Sequence, residues 1–244
     1  EGTGEGGTMP RIVEPGAAVA PPGVAAGRAP PILSRPRAIL FDWDNTLVDS
    51  WATIHHAVNA ALNAMSLPEW SLAETKTRLS LTDIFPRHFG ARWEEARGFY
   101  LAAFEAVHLG WLTPLPGSVE VLQALSGTGV FLGVVSNKTG SLLRREAERL
   151  GWTPYFGSII GGGDAAALKP DAAPALLALA GSGIAVGEEV WLVGDTAIDM
   201  LCARNAGCLP VLLGAAPAGV EFVAAPPRLT FSDGPALIRF VQDL

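Results

Sequence analysis

The chain has 244 residues, of which 49% are hydrophobic, and its formal net charge at pH 7 is −7. This length and composition allow one large buried core, with or without an insertion. The negative charge argues against nucleic-acid binding, because no basic stripe is available to neutralise phosphates, and no apolar stretch is long enough to span a membrane. The two cysteines, Cys202 and Cys208, have no metal-ligating neighbours and indicate a reducing compartment, so we expect a cytoplasmic protein.

Residues 1–35 differ in composition from the rest of the chain. They are rich in Gly, Ala and Pro and contain almost no periodic apolar residues. Such a segment cannot bury enough apolar surface to offset the entropy that it would lose on ordering. We therefore predict a disordered or loosely attached tail over residues 1–35.

The folded part begins with a short apolar strand that ends in two carboxylates. Residues 38–41 are apolar, and Asp42 and Asp44 follow at once. An unpaired buried carboxylate is expensive, so this strand must end at solvent, at a metal or at a reacting group. Open α/β sheets place their ligands at the carboxyl ends of strands, which makes the last two possibilities attractive.

A block of helices follows the first strand. Apolar residues at helical spacing predict helices over 50–65, 72–79 and 92–108. We predict no strand between residues 48 and 112. Residues 48–115 are therefore predicted to form a helical insertion, which we call the cap.

From residue 116 onward, strands alternate with helices. Strands are predicted over 130–135, 156–160, 189–194 and 209–213, with an edge strand over 228–231, and helices over 119–125, 141–150, 172–180, 197–205 and 235–244. This alternation is typical of a parallel sheet covered on both faces. We predict an α/β fold: a Rossmann-like, doubly wound parallel sheet built from 36–47 and 116–244, with the α-helical cap inserted. The run Gly161–Gly163 is interpreted as a flexible loop.

Polar residues follow the carboxyl ends of four predicted strands, and all these ends lie on one edge of a parallel sheet. The residues are Asp42, Asp44, Ser136, Asn137, Lys138, Lys169, Asp195 and Asp199. Clustered carboxylates need a compensating cation, and oxygen ligands favour Mg²⁺. A lysine and a hydroxyl add donors for phosphate oxygens, so the set indicates phosphoryl transfer.

Four segments resemble the motifs of the haloacid dehalogenase (HAD) superfamily of phosphatases, in the right order. They are Asp42–Thr46, Val135–Lys138, Leu168–Pro170 and Gly194–Asp195 with Asp199. The surrounding sequence is most similar to the phosphoglycolate phosphatase-like branch at Leu47–Ser50, Leu115–Gly117, Ser136–Lys138 and Lys169–Asp171. The resemblance covers roughly 37–244. It implies a Mg²⁺-dependent phosphatase of small phosphate monoesters, with 2-phosphoglycolate as the favoured substrate.

The resemblance also implies catalytic roles. Asp42 is expected to be the nucleophile that forms an aspartyl-phosphate, and Asp44 to protonate the leaving alcohol and then activate water. Ser136 is expected to bind a phosphate oxygen, and Lys169 to pair with the nucleophile and the phosphoryl group. Trp43 replaces the more usual aliphatic residue of the first motif.

Metal and substrate contacts are implied in the same way. Asp42, Asp195 and the backbone carbonyl of Asp44 are expected to ligate Mg²⁺, while Asp199 holds the metal's water shell or orients Lys169. The expected substrate contacts come from Thr46, from the backbone of Asn137 beside Ser136, and from Lys76 and Arg78. The last two lie in the cap, where a solvated helix face is the alternative. Asn45 replaces the usual glycine, and asparagine tolerates a left-handed backbone better than most residues.

Two alternatives stay open. A sugar-phosphate mutase of the same superfamily keeps both Asp42 and Asp44, and a phosphoacceptor signalling domain also combines Asp, a hydroxyl, Lys and Mg²⁺. The helical insertion after the first strand favours the enzyme over the signalling domain. We expect a small phosphorylated metabolite as the partner, no nucleic acid or membrane, and a monomer or homodimer.

Overall fold

The computed structural model describes residues 33–79, 84–214 and 222–244. The tail predicted over 1–35 lies outside these residues except for its last three. We describe the unit formed by residues 34–244.

The elements alternate much as the sequence predicts. The strands are β1 (Ala38–Phe41), β2 (Val48–Asp49), β3 (Thr113–Pro114), β4 (Phe131–Thr139), β5 (Ser158–Gly162), β6 (Val190–Gly194), β7 (Leu209–Leu213) and β8 (Leu229–Phe231). The α-helices are α1 (Trp51–Ala64), α2 (Leu72–Leu79), α3 (Ile84–Phe89), α4 (Trp93–Trp111), α5 (Ser118–Ser126), α6 (Gly140–Arg149), α7 (Ala173–Leu179), α8 (Ala197–Ala206) and α9 (Gly234–Gln242).

Six strands form one sheet in the order β5-β4-β1-β6-β7-β8. Every neighbouring pair in it is parallel. The predicted α/β fold with a doubly wound parallel sheet is confirmed. Strand β1 lies between β4 and β6, where the strand order reverses, and the carboxyl end of such a strand is where this architecture leaves a crevice for ligands.

The centre of the sheet explains why residues 38–41 are uniformly apolar. All four side chains of β1 are completely buried. Phe41 is in register with Val134 of β4 and Val193 of β6, so β1 and β6 end side by side, while β4 continues to Thr139. A strand covered on both faces requires apolar residues at every position, in contrast to the alternation of a half-exposed strand.

In chain order, helices α1 to α4 come after β1 and β2 and before β3 and the rest of the sheet domain. Their own apolar cluster consists of Val58, Ala61, Leu62, Met65, Trp70, Phe89 and Ala96. A second cluster joins Ala57 and Phe104 of the cap to Leu142 of α6. The cap therefore packs directly on the helix that follows β4.

The prediction of a strand-free block over 48–112 is wrong at its first two residues. Val48–Asp49 forms a two-residue ribbon with Thr113–Pro114, in antiparallel register. Two residues are too few to show strand periodicity, so no pattern could reveal it. The ribbon joins the two chain crossings between the cap and the sheet domain. Helix α3 was not predicted, and α4 extends three residues beyond the predicted end at residue 108.

Two further sequence expectations concern the environment of the protein. No helix in the described ranges is long and apolar enough to cross a bilayer. Cys202 and Cys208 are free and buried. Burial raises the pKa of the Cys202 thiol to about 12 and that of Cys208 to about 11, so both pack as apolar groups.

Candidate active site

The loop after β1 turns sharply around Asn45. Asn45 has a φ of 63°, the left-handed conformation expected for the residue that replaces glycine. The amides of Leu47 and Val48 donate to the carbonyl of Trp43, at 2.9 and 3.2 Å. The Asn45 side chain accepts a hydrogen bond from the Ser50 amide at 3.2 Å, which fixes the start of α1. Asp42 and Asp44, which flank Trp43 before the turn, both line a cavity.

Three carboxylates meet at the end of the sheet. Asp42, Asp195 and Asp199 each place an oxygen atom within 4.8 Å of the other two. The Lys169 Nζ donates to Asp42 Oδ1 and to Asp199 Oδ1, both at 2.7 Å. Asp42, Lys169 and Asp199 are all buried. The structure thus brings together four of the predicted site residues from three separate segments of the chain.

The cluster holds more negative than positive charge. Burial raises the pKa of Asp42 to about 7; Lys169 opposes this shift, and Asp199 and Asp44 add to it. Burial, with Asp199 and Asp42, also raises the pKa of Asp195 well above its usual range. Burial alone would lower the pKa of Lys169, but Asp199 and Asp42 raise it overall. A divalent cation would relieve this excess, and the all-oxygen donor set suits Mg²⁺.

Asp199 uses both of its oxygens within the protein. Its Oδ1 accepts from Lys169, while its Oδ2 accepts from the Thr196 amide at 3.0 Å and from the Thr196 Oγ1 at 2.5 Å. This is a capping box at the start of α8. Gly194 allows it, because a Cβ there would lie 2.3 Å from the Asp199 Cγ. The resemblance implies that Asp199 either holds the water shell of the metal or orients Lys169, and these contacts favour the second role.

Asn137 and Thr46 contact the protein itself. The Asn137 side chain donates to the Lys169 carbonyl at 3.0 Å and accepts from the Lys169 amide at 2.8 Å. The Thr46 hydroxyl donates to Asp195 Oδ1 at 3.2 Å. The two side chains therefore hold Lys169 and Asp195 in place. Ser136 is buried at the cavity wall, where its Oγ accepts from the Lys138 amide at 3.2 Å.

The expectation of a flexible loop over Gly161–Gly163 is wrong for its first two residues, which end β5. A Cβ on Gly161 would lie 2.5 Å from the Gly140 Cα and 2.7 Å from the Lys138 carbonyl oxygen. Glycine is therefore required for close packing against the segment that carries Ser136 and Lys138. The sequence pattern alone could not show which backbone approaches these glycines.

The cap residues Lys76 and Arg78 do not line the catalytic cavity formed by the described residues. The Arg78 guanidinium lies 4.8 Å from the Trp70 ring centroid, and its Nη2 is 3.8 Å from a Glu74 oxygen. The Lys76 Nζ lies 5.4 Å from the ring centroid of Trp51, which does line the cavity. The adjoining segment 80–83 lies outside the described residues.

Sequence reasoning missed the contacts of Lys138. Its Nζ donates to Asp44 Oδ1 and to Glu146 Oε2, both at 2.6 Å. Burial alone would lower the pKa of Lys138, but Asp44 and Glu146 raise it overall. One signal could have found Glu146. It is an acidic residue on the buried face of α6, between Leu143 and Ala147.

Two cavities meet at Asp44. The first, about 210 Å³, is lined by Asp42, Asp44, Asn45, Trp51, Ile54, Ser136, Asn137, Lys138, Lys169, Asp195, Thr196, Ile198 and Asp199. The second, about 250 Å³, shares Asp44, Asn137 and Lys138 with it and extends to Arg97, Tyr100 and Phe104 of α4. Asp44 therefore stands between the carboxylate cluster and a space walled by the cap.

A doubly wound sheet with carboxylates, a paired lysine and a hydroxyl at its switch point is an arrangement suited to phosphoryl transfer. Residues 39–212 match the family described as haloacid dehalogenase-like hydrolase. The chain belongs to this family, and the resemblance deduced from the four motifs is confirmed.

Named relatives agree with this class. The chain is 37% identical over 179 residues to a phosphoglycolate phosphatase of Xanthomonas campestris pv. campestris, covering 70% of this chain and 80% of that protein. It is 31% identical over 225 residues to a phosphoglycolate phosphatase of Agrobacterium fabrum, covering 84% and 92%. A HAD-superfamily hydrolase from Ehrlichia chaffeensis has a similar structure, with a TM-score of 0.61, 29% identity and coverage of 86% and 98%. The predicted enzyme class, a phosphoric monoester hydrolase, is confirmed.

Proposed function

We propose that the protein is a Mg²⁺-dependent phosphatase that hydrolyses 2-phosphoglycolate through an aspartyl-phosphate on Asp42. The observation that carries the proposal is the Lys169 ammonium, which bridges Asp42 and Asp199 at 2.7 Å beside Asp195. This arrangement fixes one carboxylate as an oriented nucleophile and leaves an excess of negative charge for a cation. Asp44, on the same cavity but outside the cluster of three carboxylates, is available for proton transfer.

In the first step, an Asp42 oxygen attacks phosphorus and the bond to the leaving oxygen breaks. Asp44 donates a proton to that oxygen, so the leaving oxygen departs as a neutral hydroxyl group of the product. Lys169 keeps Asp42 in place and contributes positive charge beside the phosphoryl oxygens. The Ser136 hydroxyl, on the same cavity wall, donates to one of those oxygens.

In the second step, water attacks the phosphorus of the aspartyl-phosphate and Asp44 accepts its proton. Inorganic phosphate leaves, and Asp42 and protonated Asp44 are regenerated. Bound Mg²⁺ would supply charge compensation for the phosphoryl oxygens. The groups that would hold it are Asp42, Asp195 and the backbone carbonyl of Asp44. The Asp44 side chain instead contacts Ser50 and Lys138.

The choice of 2-phosphoglycolate rests on the named relatives and on the cavity beyond Asp44. The leaving group of this substrate carries a carboxylate, which needs a cation or donors on the cap side. Arg97 is exposed and lines that cavity, and within the described ranges it takes part in no ion pair. We therefore add Arg97 to Lys76 and Arg78 as candidates for binding the substrate carboxylate.

A cation that binds the substrate carboxylate can be identified by comparing two esters. Replacing it with Gln should raise KM for 2-phosphoglycolate by about tenfold or more, since charge-assisted contacts contribute about 1.5–3 kcal/mol. KM for p-nitrophenyl phosphate, which has no carboxylate, should stay near the wild-type value. The variants to compare are Arg97→Gln, Lys76→Gln and Arg78→Gln. If the ratio of KM for 2-phosphoglycolate to KM for p-nitrophenyl phosphate is unchanged in all three, none of these cations binds the substrate carboxylate.

The proposal is tested by phosphate release from 2-phosphoglycolate by the purified protein. Release should require Mg²⁺, stop with a chelator and be abolished in Asp42→Asn. Asp243→Asn, an exposed aspartate at the end of α9, is the matched control and should keep full activity. Phosphate release that survives in Asp42→Asn would show that Asp42 is not the nucleophile.

The mutase alternative shares the same carboxylates and differs in the product. A mutase returns the phosphoryl group to a sugar, whereas a phosphatase loses it to water. Isomerised sugar phosphate without inorganic phosphate would favour the mutase. A cytoplasmic location and a monomeric or homodimeric state stay predictions from the sequence.

A further inference from the structure

A buried carboxylate on α6 joins the sheet domain to the cap. Glu146 is 1% exposed and accepts three hydrogen bonds. Its Oε2 accepts from Lys138 Nζ and from Trp43 Nε1, both at 2.6 Å, and its Oε1 accepts from His108 Nδ1 at 2.8 Å. We call these four residues the Glu146 cluster. Trp43 lies in the catalytic loop, and His108 lies on α4 of the cap.

Stabilisation of the fold alone does not explain the Glu146 cluster. Burying charges is costly, and apolar residues of similar volume often serve the fold equally well or better. The Lys138 side chain is 4% exposed, and its ammonium also lies 4.9 Å from the Phe104 ring centroid. It is therefore fixed by groups on three sides, one of which is the catalytic Asp44.

The two oxygens of Asp44 have different surroundings. Oδ1 accepts hydrogen bonds from Lys138 Nζ and from the Ser50 hydroxyl. We find no protein donor to Oδ2 in the described part of the chain. The first oxygen is thus anchored, and the second is left to exchange a proton with the leaving group or with water.

We propose that Lys138 and Glu146 are positioning residues for the proton transfer by Asp44. Lys138 holds Asp44 Oδ1, so that Oδ2 faces the reacting oxygen, and Glu146 holds Lys138. Trp43 and His108 in turn hold Glu146, which ties the placement of Asp44 to the docking of the cap. The inference rests on the proposed function, because it assigns the support for a step of that reaction.

Two substrates with different leaving groups separate positioning from general damage. Glycolate is a poor leaving group that must be protonated, whereas p-nitrophenolate leaves with little protonation. The parameter kcat/KM reports the steps up to the first irreversible one, which includes departure of the leaving group. Loss of a well-placed acid should therefore lower kcat/KM for 2-phosphoglycolate much more than for p-nitrophenyl phosphate.

The test compares Lys138→Met, Lys138→Arg and Glu146→Gln. We expect Lys138→Met to lower kcat/KM for 2-phosphoglycolate by about 10²-fold, the lower end of the contribution of a general acid, and that for p-nitrophenyl phosphate by less than about tenfold. Glu146→Gln should also lower kcat/KM more for 2-phosphoglycolate than for p-nitrophenyl phosphate, but by smaller factors than Lys138→Met. Lys138→Arg should bring the ratio of the two kcat/KM values part of the way back to that of the wild type.

A matched control removes another contact between the same two helices. Glu105 on α4 is ion-paired with Arg145 on α6 at 2.7 Å, and both are exposed. Glu105→Gln should leave kcat/KM for both esters unchanged. Equal losses for the two esters in folded Lys138→Met would overturn the positioning role, while leaving the wild-type phosphatase activity established.

A crystal structure of Lys138→Met gives a readout that does not depend on activity. The Asp44 carboxylate should rotate away from its wild-type position when the donor to Oδ1 is lost. An Asp44 side chain that stays in place overturns the inference, even if the true substrate differs from 2-phosphoglycolate. The proposed function fails separately, by absence of phosphate release from the wild-type protein.

Discussion

Lys169 should stabilise the fold in a way that depends on metal and on pH. In Lys169→Met, Asp42 and Asp199 lose an ammonium that donates to both at 2.7 Å. Removing one partner from a buried ion pair typically costs about 3–5 kcal/mol, because the remaining charge is left uncompensated. We therefore expect the free energy of unfolding without Mg²⁺ to fall by about this amount near pH 8.

The loss of unfolding free energy in Lys169→Met should be smaller when Asp42 and Asp199 are neutralised in another way. Saturating Mg²⁺ compensates the same charges, so the difference from wild type should fall by half or more. Lower pH should have a similar effect. The folded pKa of Asp42, about 7 because of burial, lies above its unfolded value. Its protonated form therefore stabilises the fold, and this contribution is lost as pH rises through about 7.

The assay is urea unfolding followed by tryptophan fluorescence, near pH 6 and pH 8, with and without Mg²⁺. Arg228→Met is the control, because Arg228 pairs with Glu188 at 3.2 Å on the surface and should cost no more than about 1 kcal/mol. A loss in Lys169→Met that is the same under all four conditions would refute the charge-compensation reasoning.

Three further predictions concern the metal, the catalytic loop and the end of β6. Mg²⁺ affinity, measured by calorimetry, should fall by at least about tenfold per pH unit well below pH 7, because the ion must displace a proton from Asp42, whose pKa is about 7, and competes with protonation of Asp195, whose pKa is also raised by burial. Trp43→Leu should lower the free energy of unfolding in urea by about 3–5 kcal/mol, because a buried ring and the donor to Glu146 are lost together. Gly194→Ala should lower kcat by about tenfold or more, because its Cβ would displace Asp199 and with it the Lys169 ammonium.

Each of these predictions has a contrary result. A Mg²⁺ affinity that is constant between about pH 6 and 7 would mean that no proton competes with the ion. A cost below about 1 kcal/mol for Trp43→Leu, similar to that of the half-exposed Trp111→Leu, would contradict the buried contacts of the indole. Wild-type kcat in Gly194→Ala would show that Asp199 does not need its observed position.

The catalytic residues could be predicted because they depend on strand ends. Asp42, Ser136 and Asp195 each follow an apolar run, and the ends of parallel strands lie together whatever the details of packing. The left-handed backbone of Asn45 could also be predicted, because few residue types are tolerated in that conformation. These inferences needed only local pattern and one rule of topology.

The contacts behind these residues could not be predicted. Glu146 meets Lys138 and His108 only when α4, α6 and the end of β4 pack together, and no spacing in the sequence encodes that meeting. The ribbon of β2 and β3 is too short to show a period. Thr46 was assigned to substrate because it belongs to a motif, yet its hydroxyl binds Asp195. Motif membership indicates that a residue matters but not which neighbour it contacts.

The most direct test of the account is to locate the phosphoryl group on the enzyme. Asp44→Asn, mixed with p-nitrophenyl phosphate and Mg²⁺, should form the aspartyl-phosphate, since this leaving group needs little protonation, and then stall without a base to activate water. Mass spectrometry of the acid-quenched protein should find one added phosphoryl group on the peptide that carries Asp42. A burst of p-nitrophenol with no phosphoryl group on Asp42, or with one on another residue, would contradict the central claim.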